Sequence, residues 1–298
     1  MPFKRKSQPR PARVNMFRIE KMQPENFPFA VELANTMGWN MGEIDFAFNL
    51  KMDPDGCFIL KQNSRAVGIA TCINYGKVGW FGNLIIEEGY RRRGAGTLLV
   101  NHAVKHLRNA GVATVGIYAY PHLIKFYGDI GFQPNAEFIV LKAKTISPQR
   151  SEGNNDNIKP LTTQQIVQAI KLDAGCFGAK REKLLEPILK NKNNCCFVVE
   201  ERKGILGFAA AKVYDEMAEI GPLVCRGNFE SIAETLLLNV FTRLSGLETY
   251  ACLPSSATRL VDAASRAGFK EEFKMTRMFL GSPVQKDCIY LPESLERG

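Results

Sequence analysis

The sequence predicts an α/β (α+β) protein built as two successive domains. Three observations predict it. An apolar strand from Val78 to Ile86 leads through a Gly-rich loop into a long helix, the same order of strands and helices is legible twice, and a polar segment at 146–157 separates the copies. A length of 298 residues suits two domains of about 150. Hydrophobic content of 45% and charged content of 23% are those of a globular protein with material for two cores.

Taken in order, residues 1–14 read as a disordered basic tail, because Lys4, Arg5, Lys6, Arg10 and Arg13 crowd a Pro-rich start. The first domain, 15–145, opens with a strand over 17–22 and a helix over 24–36, with Pro24 where a missing N–H costs nothing. A second helix follows, in which Ile44, Ala47 and Phe48 share a face. Asp53-Pro54-Asp55-Gly56 is a turn, since Pro fixes φ and Gly permits a positive one. A hairpin of strands 57–61 and 66–75 comes next, and Gly76-Lys77 turns the chain into the strand 78–86. The helix after it is set by Leu98, Leu99, Ala103, Val104 and Leu107, at a period near 3.6, and Gly111 closes it. Strand 112–119, a short helix over 121–131 and strand 137–143 complete the domain.

The linker at 146–157 carries Pro and Gly and no apolar periodicity. In the second domain, 158–298, the order repeats: strand 158–160, helices 163–174 and 181–190, hairpin 195–200 and 207–214, strand 218–224, helix 229–244, strand 249–253, helix 257–267 and strand 273–280.

The chemistry lies in the Gly-rich loop. The first N–H groups of a helix have no internal partner and the helix dipole makes that end partly positive, so an anion is wanted there. Gly94 and Gly96, on either side of Ala95 and ahead of Thr97, let the backbone approach phosphate oxygens, and Arg91, Arg92 and Arg93 add charge beside them. A diphosphate fits such a loop better than one carboxylate. No Gly-x-x-x-x-Gly-Lys-Ser/Thr run exists, and Gly94-Ala95-Gly96 is followed by Thr97-Leu98-Leu99, which excludes the P-loop and the dinucleotide fingerprint.

Arg-x-x-Gly-x-Gly after Leu84-Ile85-Ile86 and Glu87-Glu88-Gly89-Tyr90 resembles motif A of the Gcn5-related N-acetyltransferases (GNAT). Downstream, Phe126-Tyr127 and Gly131-Phe132 resemble motif B of the same superfamily. Trp39, Asp45 and the Trp80-Phe81-Gly82-Asn83-Leu84 run are similar to a tandem subgroup whose second domain is a diverged copy. The resemblance implies two acyl-CoA N-acyltransferase folds, each a mixed, mostly antiparallel sheet flanked by helices, and acetyl-CoA as the cofactor. It implies that backbone groups at Leu84, Ile85 and Ile86 hold the pantetheine arm and thioester oxygen, and that the loop 91–97 holds the diphosphate. Tyr127 inherits the role of general acid, which a neutral phenol suits because its pKa near 10 exceeds that of the thiol it protonates. One departure stands out: the family often has Asn seven residues before this tyrosine, where this chain has Tyr120. The second domain has neither three arginines nor paired glycines at Gly221-Pro222-Leu223-Val224, and it reads as a fold that has lost the diphosphate site.

For the base that takes the amine's proton the sequence offers Asp45, Glu87, Glu88, Asp215 and Glu216, with Asp45 preferred because it lies in the region that lines the acceptor site. The acceptor expected is a primary amine of a small molecule, with a protein N-terminus or lysine second; a sensor or scaffold that binds acetyl-CoA without catalysis is the non-enzymatic alternative. Eight cysteines without Cys-x-x-Cys spacing and three histidines predict free thiols and no metal site. The net charge of +9 is compatible with a polyanionic cofactor, while basic residues not interleaved with aromatics argue against nucleic acid. Without a secretory segment or membrane-length apolar run, the expectation is a cytoplasmic chain of open oligomeric state.

Overall fold

The computed structural model describes residues 17–147, 157–201, 204–227, 229–284 and 288–298. The predicted tail and most of the linker lie outside the described residues. The first half runs β1 (Phe17–Lys21), α1 (Phe27–Asn35), α2 (Glu43–Met52), β2 (Cys57–Gln62), β3 (Arg65–Asn74), β4 (Val78–Ile86), α3 (Ala95–Asn109), β5 (Thr114–Ala119), α4 (Ile124–Ile130) and β6 (Gln133–Ala143). The second half repeats it as β7 (Ile158–Pro160), α5 (Ile166–Phe177), α6 (Glu182–Lys190), β8 (Cys195–Glu201), β9 (Gly204–Tyr214), β10 (Met217–Arg226), α7 (Glu230–Arg243), β11 (Glu248–Pro254), α8 (Thr258–Arg266) and β12 (Lys270–Leu280), then adds β13 (Cys288–Leu291). The predicted order is found in both halves; β13 is the strand that the sequence reading missed.

Alternation builds the layers. Along β2, Cys57 and Ile59 meet α1 and α2 on one face, while Phe58 and Leu60 meet α3 on the other. In α2 the buried stripe is Phe46, Asn49 and Met52, whereas Ile44 is 80% exposed. The expected face of Ile44, Ala47 and Phe48 is therefore corrected: Phe46 packs with Phe27 of α1, and that contact fixes the helix rotation.

The halves do not keep separate sheets. All the strands join one 13-stranded sheet, mixed and mostly antiparallel, in which β4–β5 and β10–β11 are the parallel pairs among the described residues. Each half gives a strand to the other. β12 pairs with β5 through Thr276↔Ala119 to Leu280↔Val115, and β6 pairs with β11 through Thr249↔Ala143 to Pro254↔Phe138, with β12 and β6 side by side between them. The cores follow: Met278 of β12 is buried with Leu99 and Phe132 of the first half, and Leu141 of β6 with Phe241 of the second. Arg277 fastens the exchange by donating to Asn135 Oδ1 from Nε at 2.9 Å and Nη2 at 2.6 Å.

Candidate active site

The site begins where β4 and β5 part. They pair only from Val78↔Thr114 to Trp80↔Gly116, so the edge of β4 beyond Trp80 faces β5 across an open V. Trp80 sits at its apex against Gly116, where an added Cβ would lie 2.3 Å from the indole, so only Gly fits. A bulge then redirects β4: the register with β3 shifts between Ile85 and Gly82, Asn83 takes a φ of 50°, and its Nδ2 donates to Thr71 Oγ1 at 3.2 Å. Ile85 and Ile86 are anchored in opposite cores, while Leu84 lines the V.

The loop after β4 turns on a glycine into α3. Gly94 is the left-handed cap of α3 (φ 80°), with nothing within 4 Å of where a Cβ would stand. The α3 N-terminus follows, with Ala95 buried and Thr97 exposed at its first turn. The three arginines divide their work. Arg91 turns back to donate to Ile86 O at 2.8 Å, and Arg93 lies over the Tyr90 ring at 5.7 Å. Arg92 and Arg93 are exposed beside the helix end. An open glycine, free helix N–H groups and flanking guanidinium groups fit a diphosphate.

Tyr127 comes from α4, its ring packed against Phe126 and Phe132. It is nine-tenths buried and lines the cavity that fills the V; burial pushes the pKa of its hydroxyl above the usual value. At the position where the family often has Asn, Tyr120 accepts a hydrogen bond from Trp39 Nε1 at 3.2 Å and packs its ring against Phe273 of β12. It therefore ties the α1–α2 loop to the second half.

The cavity measures about 590 Å³ and has walls from both halves. Asp45 lines it, but Asp45 Oδ2 accepts from the Gly42 N–H at 2.9 Å and caps α2. Glu87 instead pairs with Arg65 at 2.9 Å and Glu88 is exposed. Asp215 and Glu216 lie exposed in the β9–β10 turn. The acidic groups that the sequence reading missed are Glu219 of β10 and Glu296 of the C-terminal segment, both on the cavity wall. They end a chain of alternating charges: Glu219–Lys212 at 2.7 Å, Lys212–Glu293 at 2.5 Å, Glu293–Arg297 at 2.9 Å and Arg297–Glu296 at 2.6 Å. No local pattern announces them, because β10 and residues 292–298 meet only in the tertiary fold.

That segment is seated by the first half. Trp80 Nε1 donates to Leu295 O and Tyr75 Oη to Arg297 O, both at 3.0 Å, and Glu296 packs on Gly82 so closely that an added Cβ there would lie 2.7 Å from Glu296 Cα. Arg181 donates to the Gly298 oxygen while a bidentate pair with Asp173, at 2.6 and 3.0 Å, holds its guanidinium. In the second half the corresponding V, where β10 and β11 part after Ile220↔Ala251, is filled by β13, which pairs with β10 from Leu223↔Leu291 to Arg226↔Cys288.

Comparison with known proteins agrees with this architecture. Residues 18–132 match a model described as "Acetyltransferase (GNAT) family" and residues 169–291 one described as "Acetyltransferase (GNAT) domain". A holothin acyltransferase from a Pseudoalteromonas strain is 23% identical over 278 residues, covering 92% of each chain. The fold matches that of a Pyrococcus horikoshii protein assigned to the acetyltransferases, with a TM-score of 0.77 at 20% identity over 98% of this chain and 99% of that one. A tandem GNAT protein of the clavulanic acid biosynthesis pathway matches with a TM-score of 0.57 at 11% identity, over 89% of this chain and 98% of that one. Fold and site define an enzyme that acts as an acetyltransferase. The chain belongs to the Gcn5-related N-acetyltransferases, with one such domain in each half.

Proposed function

We propose that the protein transfers the acetyl group of acetyl-CoA to the primary amine of a small molecule by direct attack. The observation that carries this reading is the cavity of about 590 Å³, which contains Tyr127 and is walled by both halves and the C-terminal segment. Its volume is in the range of small-molecule sites, roughly 300–1,000 Å³. That its walls come from distant parts of the chain favours a small acceptor over a protein terminus.

Bound acetyl-CoA would supply an activated acyl group as a thioester. The N–H groups at Gly94, Ala95, Gly96 and Thr97, with Arg92 and Arg93, hold the diphosphate, while Arg91 keeps the loop against β4. Donors on the unpaired edge of β4 at Leu84, Ile85 and Ile86 hold the thioester oxygen, and fixed donors there favour the transition state as charge develops. Tyr127 keeps its proton at neutral pH because burial disfavours the phenolate, and it gives that proton to the departing sulfur. The first domain (15–145) does this chemistry. The second (158–298) serves as acceptor wall, its own V being closed by β13. The name of the Pseudoalteromonas relative adds holothin to the acceptors worth trying.

Calorimetric titration with acetyl-CoA and thiol release on a panel of primary amines test the reading. Arg93→Ala with Gly94→Val should weaken acetyl-CoA binding at least about tenfold, and Tyr127→Phe should lower turnover roughly 10²-fold with binding retained. Absence of acetyl-CoA binding by the unmodified protein would overturn the reading. Binding without turnover on any amine would make it a sensor instead.

A further inference from the structure

The chain of five charges comprises the carboxylates Glu219, Glu293 and Glu296 and the cations Lys212 and Arg297, a net charge of −1. It becomes neutral when one carboxylate holds a proton. The inner member, Glu293, is buried between both cations, and against the cost of burial Arg297 and Lys212 hold its carboxyl well below the usual range. Glu219 is ion-paired with Lys212 alone among the described residues and leaves 32% of its side chain accessible at the cavity wall. The place for a proton is therefore at the end of the chain. Aromatic residues line the same cavity: Tyr214 and Tyr250 from the second half, Phe273 from β12 and Tyr118 from β5. Tyr118 is itself buried, with the Arg277 guanidinium close to its hydroxyl.

We propose that the second half and the C-terminal segment form the acceptor's side of the active site, and that the acceptor arrives as an ammonium ion drawn in by Glu219 and Glu296, whose proton Glu219 then takes. This rests on the acetyl-transfer reading above and assigns its missing base. The protons balance. Of the ammonium's three, one stays on the amide nitrogen, one leaves through Glu219 to solvent, and one replaces the proton that Tyr127 gives to sulfur; a C–N bond forms as the C–S bond breaks. Burial raises the Glu219 pKa, Lys212 opposes this, and Glu296 and Glu293 reinforce it, so the carboxylate is a better base than an exposed one. The aromatic walls suit a cation carried on an apolar or aromatic body.

The test uses the full chain and whichever panel amine turns over, with its hydroxyl isostere as control. Charged and titratable groups around Glu219 are Lys212 and Tyr214 of β9, Tyr250 and Cys252 of β11, and Glu293, Glu296 and Arg297 of the C-terminal segment. In the unmodified protein, amine binding measured without acetyl-CoA should weaken as pH falls through the Glu219 titration, and the isostere should bind at least about tenfold more weakly than the amine. Glu219→Gln should remove that pH dependence of binding and lower kcat/KM by about 10²- to 10³-fold, with acetyl-CoA affinity unchanged. Glu296→Gln should raise KM more than it lowers kcat. Activity of Glu219→Gln within threefold of the parent would overturn the assignment, as would an isostere that binds as tightly as the amine. Should Glu219→Gln fail to fold, acceptors differing by two units in amine pKa decide on the unmodified protein: an acid limb of kcat/KM that stays in place supports Glu219, and one that follows the amine overturns it. Failure to bind acetyl-CoA would sink the underlying reading; normal binding and turnover with an insensitive Glu219 would sink this inference alone.

Discussion

Single side chains hold the site together. Gly116 exists for Trp80, which in turn holds Leu295 of the C-terminal segment. Gly116→Ala should therefore cost about 1–3 kcal/mol from overpacking. It should also shift the tryptophan emission, to which only Trp39 and Trp80 contribute, both measurable in one urea titration. The Arg181–Asp173 pair is completely buried beneath the Phe177 ring, 4.1 Å from the guanidinium carbon. Arg181→Met leaves an uncompensated carboxylate and should destabilise the fold by about 3–5 kcal/mol, more than the double change with Asp173→Asn. Glu293 sets an acid limit. Its folded pKa lies below the unfolded value of roughly 4.3, so its stabilisation is complete above that pH and is lost as pH falls below it. Melting temperature against pH should show an acid-side loss that Glu293→Gln flattens.

At the level of elements, the two parallel pairs explain why the two halves differ. Both V-shaped gaps arise from a bulge that turns a strand away from its parallel partner, at Asn83 in β4 and between Ile220 and Leu223 in β10. In the first half the gap stays open as the cavity; in the second β13 occupies it with backbone hydrogen bonds. Leu291 is fully buried there between β10 and its core. Leu291→Asp should loosen β13 and with it residues 292–297, raising KM for the amine while leaving acetyl-CoA affinity within about twofold, because the loop at Gly94 is fixed by β4 and α3. Equal loss of both affinities would show that β13 supports the whole sheet instead.

Across the whole molecule, the exchanged strands make the halves interdependent. Cutting the chain at the linker would leave β5 without its β12 neighbour and expose an unpaired edge, a template for aggregation. Residues 15–145 expressed alone should be poorly soluble or associate, and co-expression with residues 158–298 should restore a one-to-one complex, as read by size-exclusion chromatography. A stable monomeric first half would show that β6 can fold back onto β5.

The sequence by itself determined the element order in both halves, the glycine turn at Gly94 that opens α3 and the placing of Tyr127 on α4. Those features are local: periodicity, caps and turns act within a few residues, so they are written where they occur. It also misjudged what local rules do not govern. The rotation of α2 was decided by Phe46 against Phe27. Only the tertiary structure decided the exchange of β6 and β12, the filling of one V by β13, and the ion chain joining Lys212 and Glu219 to residues 293–297. Each depends on which of many similar apolar strands meets which, and on charges dozens of residues apart finding one another in a buried place where an unpaired charge would not be tolerated.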